Sequence, residues 1–211
     1  MAEDKDITCC VKACDQPLDK TYWNTQWENE QIGWDIGYAA PAIVAYMQQY
    51  PNKEARILIA GCGNAYEAEA LCDMGFKHIT LVDIAPKAVL LLQEKFADKP
   101  EINVVLGDFF EHEGQYDLMI EQTFFCAIPP GKRTDYAQQA RKLLSDKGKI
   151  IGLLFDRRFE QQGPPFGGCP CEYKPVFNPY FEIKTMDLCT NSIKPREHQE
   201  VFIILNKKDN E

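Results

Sequence analysis

The chain has 211 residues, 45% apolar and 26% charged, the balance of one globular domain with a sizeable core. Lys and Arg number 23 against 32 Asp and Glu, a net charge of −9, so neither nucleic acid nor an anionic membrane surface is an expected partner. No apolar run approaches the roughly 18–20 residues that span a bilayer, and residues 1–6 lack the apolar segment of an export signal; the nine cysteines are therefore expected to be thiols in a reducing, cytoplasmic setting.

Residues 1–19 are polar, charged and without a sustained period, which predicts a mobile arm ahead of a single domain over 20–211. A helix is predicted over 18–30, with Trp23 and Trp27 one turn apart on one face. A second helix follows Pro41 and carries Ile43, Val44 and Met47. The period then changes. Arg56-Ile57-Leu58-Ile59-Ala60 is a continuous apolar run of the buried parallel-strand kind, ending at Gly61-Cys62-Gly63. A helix over 65–74 stops at Gly75, a strand over 78–83 ends at Asp83, and Pro86 opens another helix. Strands follow at 102–106 and 116–120, a helix at 134–144 and a strand at 149–155. This alternation predicts a parallel sheet with helices on both faces. Beyond a Gly/Pro-rich loop at 162–168, two strands at 181–188 and 200–205 are expected to pair antiparallel at the sheet edge.

The glycines at 61 and 63 sit where a tight turn brings backbone close to a ligand at a helix N-terminus. A dinucleotide pattern would need a third glycine at 66, but that position is Tyr66, so a ligand with adenosine and no pyrophosphate fits better than a nicotinamide cofactor. Asp83, twenty residues past Gly63, ends the second strand and is placed to accept from ribose hydroxyls. Asp108 ends the third strand, where it can bond an adenine edge while Phe109 packs on the ring. All three features fall at the carboxyl ends of successive strands, the ligand-binding side of open parallel sheets.

This series resembles the class I S-adenosylmethionine-dependent methyltransferases, and more narrowly the thiopurine methyltransferase group with its plant halide/thiol methyltransferase relatives. The matching stretches are Trp23-x3-Trp27, Trp34-Asp35-Ile36-Gly37, Gly61-Cys62-Gly63, Val82-Asp83-Ile84, Gly107-Asp108-Phe109, the run from Phe124 to Ile128, and Gly163-Pro164-Pro165-Phe166. The resemblance covers about residues 20–206. It implies a Rossmann-like, mostly parallel seven-stranded sheet with an antiparallel edge strand and an N-terminal helical lid. It also implies S-adenosylmethionine as cofactor, a small-molecule acceptor, no metal, and a monomer. Trp23, Trp27, Trp34, Gly61, Asp83, Asp108 and Phe109 stand at the family's cofactor positions; aromatic faces suit a sulfonium cation. Packing of Trp23 and Trp27 as the apolar stripe of a helix is the plain alternative. Gln122 stands where the family places a tyrosine over cofactor and acceptor.

Methyl transfer from a sulfonium is an in-line displacement whose donor is already activated, so positioning dominates. A thiol titrates near about 8.5 and needs little help from a base, which suits a chain with no evident nucleophile–base set. The expected acceptor is a small soft nucleophile: thiol, hydrosulfide, thiopurine or halide. Glu121 and Asp156 are candidates for positioning roles in catalysis, Phe125 for a pocket wall, Arg157 and Arg196 for orienting the acceptor, and Pro165 for a rim loop. Cys9, Cys10 and Cys14, with Cys169 and Cys171, leave open a metalloid methyltransferase, although their spacings are not those of zinc ribbons. A non-catalytic cofactor-binding module is the other alternative.

Overall fold

The apolar run at Arg56–Ala60 becomes β1, an interior strand of the sheet, in a computed structural model that describes residues 16–209. The other strands are β2 (His78–Asp83), β3 (Ile102–Leu106), β4 (Tyr116–Gln122), β5 (Leu144–Phe155), β6 (Phe181–Leu188) and β7 (Glu200–Lys207). The helices are α1 (Lys20–Glu28), α2 (Pro41–Gln48), α3 (Tyr66–Asp73), α4 (Pro86–Lys95), α5 (Arg133–Leu143) and α6 (Pro170–Phe177). The strands form one seven-stranded sheet in the order β3-β2-β1-β4-β5-β7-β6. β1 to β5 are parallel, and β7 runs antiparallel to both β5 and β6. The strand order reverses between β1 and β4, a switch point that opens a crevice at the carboxyl ends of the strands.

Alternate residues of β1 feed two cores, which is why its sequence is apolar throughout. Ile57 and Ile59 pack with Ile43 and Met47 of α2 and Ala68 and Leu71 of α3. Leu58 and Ala60 face the other side, toward Tyr136 and Ala140 of α5 and Tyr173 and Phe177 of α6. At the amino-terminal end of the sheet, Asp117 accepts from Arg56 Nη2 at 2.9 Å, Arg56 Nε at 3.1 Å, the Arg56 amide at 3.0 Å and Ser145 Oγ at 2.9 Å. The Arg56 guanidinium pulls the Asp117 carboxyl down to about 2.

Two elements differ from expectation. β5 starts at Leu144 rather than 149, because Leu144 pairs with Tyr116 before a register shift across Ser145-Asp146-Lys147-Gly148, a stretch whose composition reads as a turn. α6 was not legible: Pro170 at its first turn, Pro175 inside it and Pro179 beyond it mask a helix that tertiary packing holds through Tyr173 and Phe177. The expected arm largely lies outside the described residues, as do Cys9, Cys10 and Cys14. Among the described residues no helix is long and apolar enough to cross a membrane.

Gly152, in the middle of β5 opposite Glu121 and Ile203, has no room for a side chain, since a methyl there would overlap the Glu121 carbonyl. Gly152→Ala is expected to cost about 4 kcal/mol or more, because backbone rather than a flexible side chain must move. Chemical denaturation at fixed pH checks this, and a loss under about 1 kcal/mol would show the sheet yielding there.

Candidate cofactor and acceptor site

The loop from β1 to α3 carries the first half of the site. Gly61 and Gly63 have φ of 56° and 54°, left-handed values that suit glycine, and Ala65 adopts 50° despite its side chain. A Cβ at Gly61 would overlap the Phe124 ring, and one at Gly63 would touch Trp34 Nε1 at 3.6 Å. These glycines therefore keep backbone bare beside an indole and a phenyl ring. Asp83 supports the loop: its Oδ2 accepts from the Gly63 amide at 3.3 Å and its Oδ1 from the Ala85 amide at 2.9 Å. Burial raises its pKa against the lowering pull of those amides. Each oxygen keeps lone-pair capacity for a hydroxyl pair. Asp108 Oδ1 accepts from the Phe110 amide at 2.9 Å, which shapes the turn after β3.

Structure and expectation diverge at Phe109. Its ring is buried among Phe110, Phe124 and Tyr136, with centroids 5.2–5.5 Å apart. That position shores up the wall of the site from within the core rather than offering a free face to a ligand.

The lid divides its tryptophans. Trp27 is buried against Ala85 and Ala88 at the start of α4, as the packing alternative had it, and Asn24 Oδ1 of the same helix accepts from the Lys87 amide at 2.8 Å. This bond serves an amide in the first turn of α4, whose own N-cap, Ala85, makes no side-chain bond. Trp34 stands edge-on to Trp23 and Trp27, with centroids at 5.6 and 6.1 Å, and lies beside Gly63.

The turn after β4 is built on Glu121. This carboxylate is 1% exposed; Oε1 accepts from the Phe124 and Phe125 amides at 2.9 and 2.8 Å, and Oε2 from Tyr136 Oη at 2.6 Å. Thr123 is forced to φ 61°, uncommon for a β-branched residue, to bring those amides round. Burial pushes Glu121 up to about 7, partly opposed by its three donors. Glu121 is thus a positioning residue for the turn. The neighbouring Gln122 Oε1 is buried without a hydrogen-bond partner, an acceptor that suits the amino group of a bound donor.

On the far side, Thr123, Phe125, Cys126, Leu154, Tyr173 and Glu200 line a narrow enclosed crevice. The rim loop is tied down where the Phe166 amide donates to the Cys126 carbonyl at 2.7 Å and buried Arg133 Nη2 donates to the Gly167 carbonyl at 2.8 Å. The Arg133 guanidinium also lies 4.9 Å from the centroid of Phe125 and 5.4 Å from that of Tyr173. Pro165, partly buried, sits in this loop beside Phe166. Arg196 Nη2 donates to the Trp34 carbonyl at 3.1 Å, and its guanidinium lies 5.3 Å from the centroid of Phe155. The Arg157 carbonyl accepts from the Gly168 amide of the rim loop at 2.9 Å, but its side chain is exposed, lies over Phe159 and bonds to Gln199. Asp156 is half-buried, with its amide donating to the Gln199 carbonyl at 2.7 Å. The thiol expectation is corrected at Cys169 and Cys171, which are joined in a disulfide between the rim loop and α6. Cys62, Cys72, Cys126 and Cys189 are thiols, and burial pushes Cys126 up to about 12.

Sequence reasoning missed Asp35 as a contact residue, Tyr136 as the partner of Glu121, Arg133 as a buried cation, and Glu200 in the crevice. Two carried a signal: Asp35, beside Trp34, and Glu200, a charge at the start of the apolar run 201–205.

The reversed strand order and the glycine turn at the carboxyl end of β1 define a Rossmann-like fold. The family model described as Thiopurine S-methyltransferase matches residues 18–208, and the chain belongs to that family. It is 33% identical over 184 residues to a protein of Arabidopsis thaliana named Probable thiol methyltransferase 2, covering 84% of this chain and 81% of the relative. It is 26% identical over 196 residues to Thiocyanate methyltransferase 1 of Brassica oleracea, covering 90% and 86%. The fold matches a solved 1,6-didemethyltoxoflavin-N1-methyltransferase of Burkholderia thailandensis with bound S-adenosylhomocysteine (TM-score 0.74, 14% identity, 95% and 94% covered).

Proposed function

We propose that the chain transfers the methyl group of S-adenosylmethionine to a small thiol bound as its thiolate. The cofactor supplies an electrophilic methyl on a sulfonium; the chain's own residues hold, orient and dry the reactants. Asp83 and the glycine loop hold the nucleoside, Gln122 the polar end, and Trp23 and Trp34 roof the cationic centre.

The observation that carries the reading is the match to the thiopurine methyltransferase family over residues 18–208, with the apolar character of the crevice beside the turn after β4 in keeping with it. The walls of the crevice are Phe125, Leu154 and Tyr173, with Thr123, Cys126 and the buried Glu200 carboxyl as polar insets. Glu121 behind it is 1% exposed, its carboxyl turned to the Phe124 and Phe125 amides and the Tyr136 hydroxyl rather than to an alcohol in the crevice. A soft acceptor that ionises unaided suits such walls.

The test pairs a small thiol with the alcohol of the same skeleton, using methyl-labelled donor. Thiol methylation is expected to rise about tenfold per pH unit and level off near about 8.5, as the thiolate fraction saturates, while the alcohol gives no product. Comparable turnover of the alcohol would overturn the reading.

A further inference from the structure

We propose that Asp35 is a positioning residue that, through Asn64 and Tyr66, latches the Trp34 indole onto the glycine loop and so sets how long the methyl donor stays bound. The inference rests on the cofactor reading above. Its starting point is Tyr66, which occupies the place of a third glycine at the first turn of α3 and is expected to have a use there.

Asp35 Oδ1 accepts from the Gly37 amide at 2.6 Å, which folds the segment between α1 and α2 into a tight turn. Its Oδ2 accepts from both Asn64 Nδ2 and Tyr66 Oη, the latter at 3.2 Å. Asn64 and Tyr66 flank Ala65, the left-handed residue that ends the glycine loop, so one lid carboxylate grips both sides of the strained turn. The grip is itself backed: Lys95 Nζ donates to the Asn64 carbonyl at 3.1 Å and lies 4.8 Å from the centroid of the Tyr66 ring. One residue earlier, the Trp34 carbonyl accepts from Arg196, 162 residues along the chain, in the segment before β7. Residues 34 and 35 thus fasten the lid to the donor half through a side chain and to the acceptor half through a carbonyl. Two charge-assisted bonds on a half-buried carboxylate are strong enough to matter to a release rate and weak enough to open during turnover.

The three tryptophans of the chain all lie between residues 23 and 34, so tryptophan emission excited at the red edge of the absorption band, where the nine tyrosines absorb little, reports on this element. The experiment measures S-adenosylhomocysteine release by stopped-flow tryptophan emission in the wild type, Asp35→Ala, Tyr66→Phe and the double variant, with melting curves for each. Each single variant is expected to release the ligand about tenfold faster, the double variant no faster than Asp35→Ala, and kcat at saturating donor to change less than about threefold. Tyr66→Phe keeps the ring and removes only the hydroxyl, so it tests the latch even where Asp35→Ala disturbs the turn. Release at the wild-type rate in Tyr66→Phe, or single effects that multiply in the double variant, overturns the latch. A wild type that shows no ligand binding overturns the cofactor reading instead.

Discussion

Asp83→Ala is expected to weaken S-adenosylmethionine binding by tens-fold or more, read by calorimetry, with the melting temperature in the absence of ligand also lowered. The carboxylate has two tasks. It holds the Gly63 and Ala85 amides, and it presents the remaining lone pairs at the carboxyl end of β2. Losing it leaves a ribose diol without its acceptors in a site shielded from water, a penalty of about 1.5–3 kcal/mol per bond to a charged group. The apo fold is weakened as well, because the Gly63 and Ala85 amides lose their acceptor at about 1–3 kcal/mol each, offset in part by the cost of keeping a buried carboxylate there. Asp83→Asn is expected to fall between, retaining one acceptor oxygen. Unchanged affinity in Asp83→Ala would remove this residue from the site.

The second large effect is expected at Glu121. Glu121→Ala strands the Phe124 and Phe125 amides and the Tyr136 hydroxyl in the core, each at about 1–3 kcal/mol, enough to unfold a domain of ordinary stability or collapse the turn after β4. Glu121→Gln keeps an acceptor for the amides and a group to meet the hydroxyl, and is expected to fold. The two differ further in pH. The folded carboxyl titrates at about 7 against 4.5 for the free side chain, so the folded state binds the proton more tightly. Stability from this group is complete below about 4.5 and is lost as pH rises through about 7, a change on the order of 3 kcal/mol across the window. Asp83, Glu67 and Glu200 are raised as well and slope the same way, whereas Asp117, pulled down to about 2, loses its contribution only in strong acid. Melting curves at about pH 5 and about pH 8 are expected to show the wild type less stable at the higher pH and Glu121→Gln with a visibly smaller difference. An equal difference in both proteins would place the titration elsewhere.

The strands and the cofactor loop were legible because the physics that makes them is local. An all-apolar run capped by glycines reads as a buried parallel strand, and an aspartate at its end can be counted off the sequence; β1, β2, β3 and β6 fall where the pattern puts them. What escaped depends on contacts between distant segments. α6 contains prolines that local propensity rejects and rings that the core demands. Phe109 sits at the position the family resemblance marks, yet its ring is claimed by Phe124 and Tyr136, whose approach no spacing reveals. Asp35 was visible as half of a Trp-Asp pair, but its partners lie about 30 residues away on α3 and the loop before it. Arg157 and Arg196 looked equivalent in the sequence, and only folding sends one outward over Phe159 and the other to the lid.

The reversal of strand order between β1 and β4 has a consequence for how such a catalyst can change. Everything proposed to grasp the adenosyl moiety, apart from the lid and Gln122, comes from one continuous stretch between β1 and the turn after β3, whereas the opposite crevice is assembled from β4 onward. Substitutions in the second half can therefore retune which nucleophile is admitted while the grip on the methyl source is inherited intact. A chimera that joins residues 1–115 of this chain to the corresponding remainder of a relative is the natural way to transplant acceptor preference.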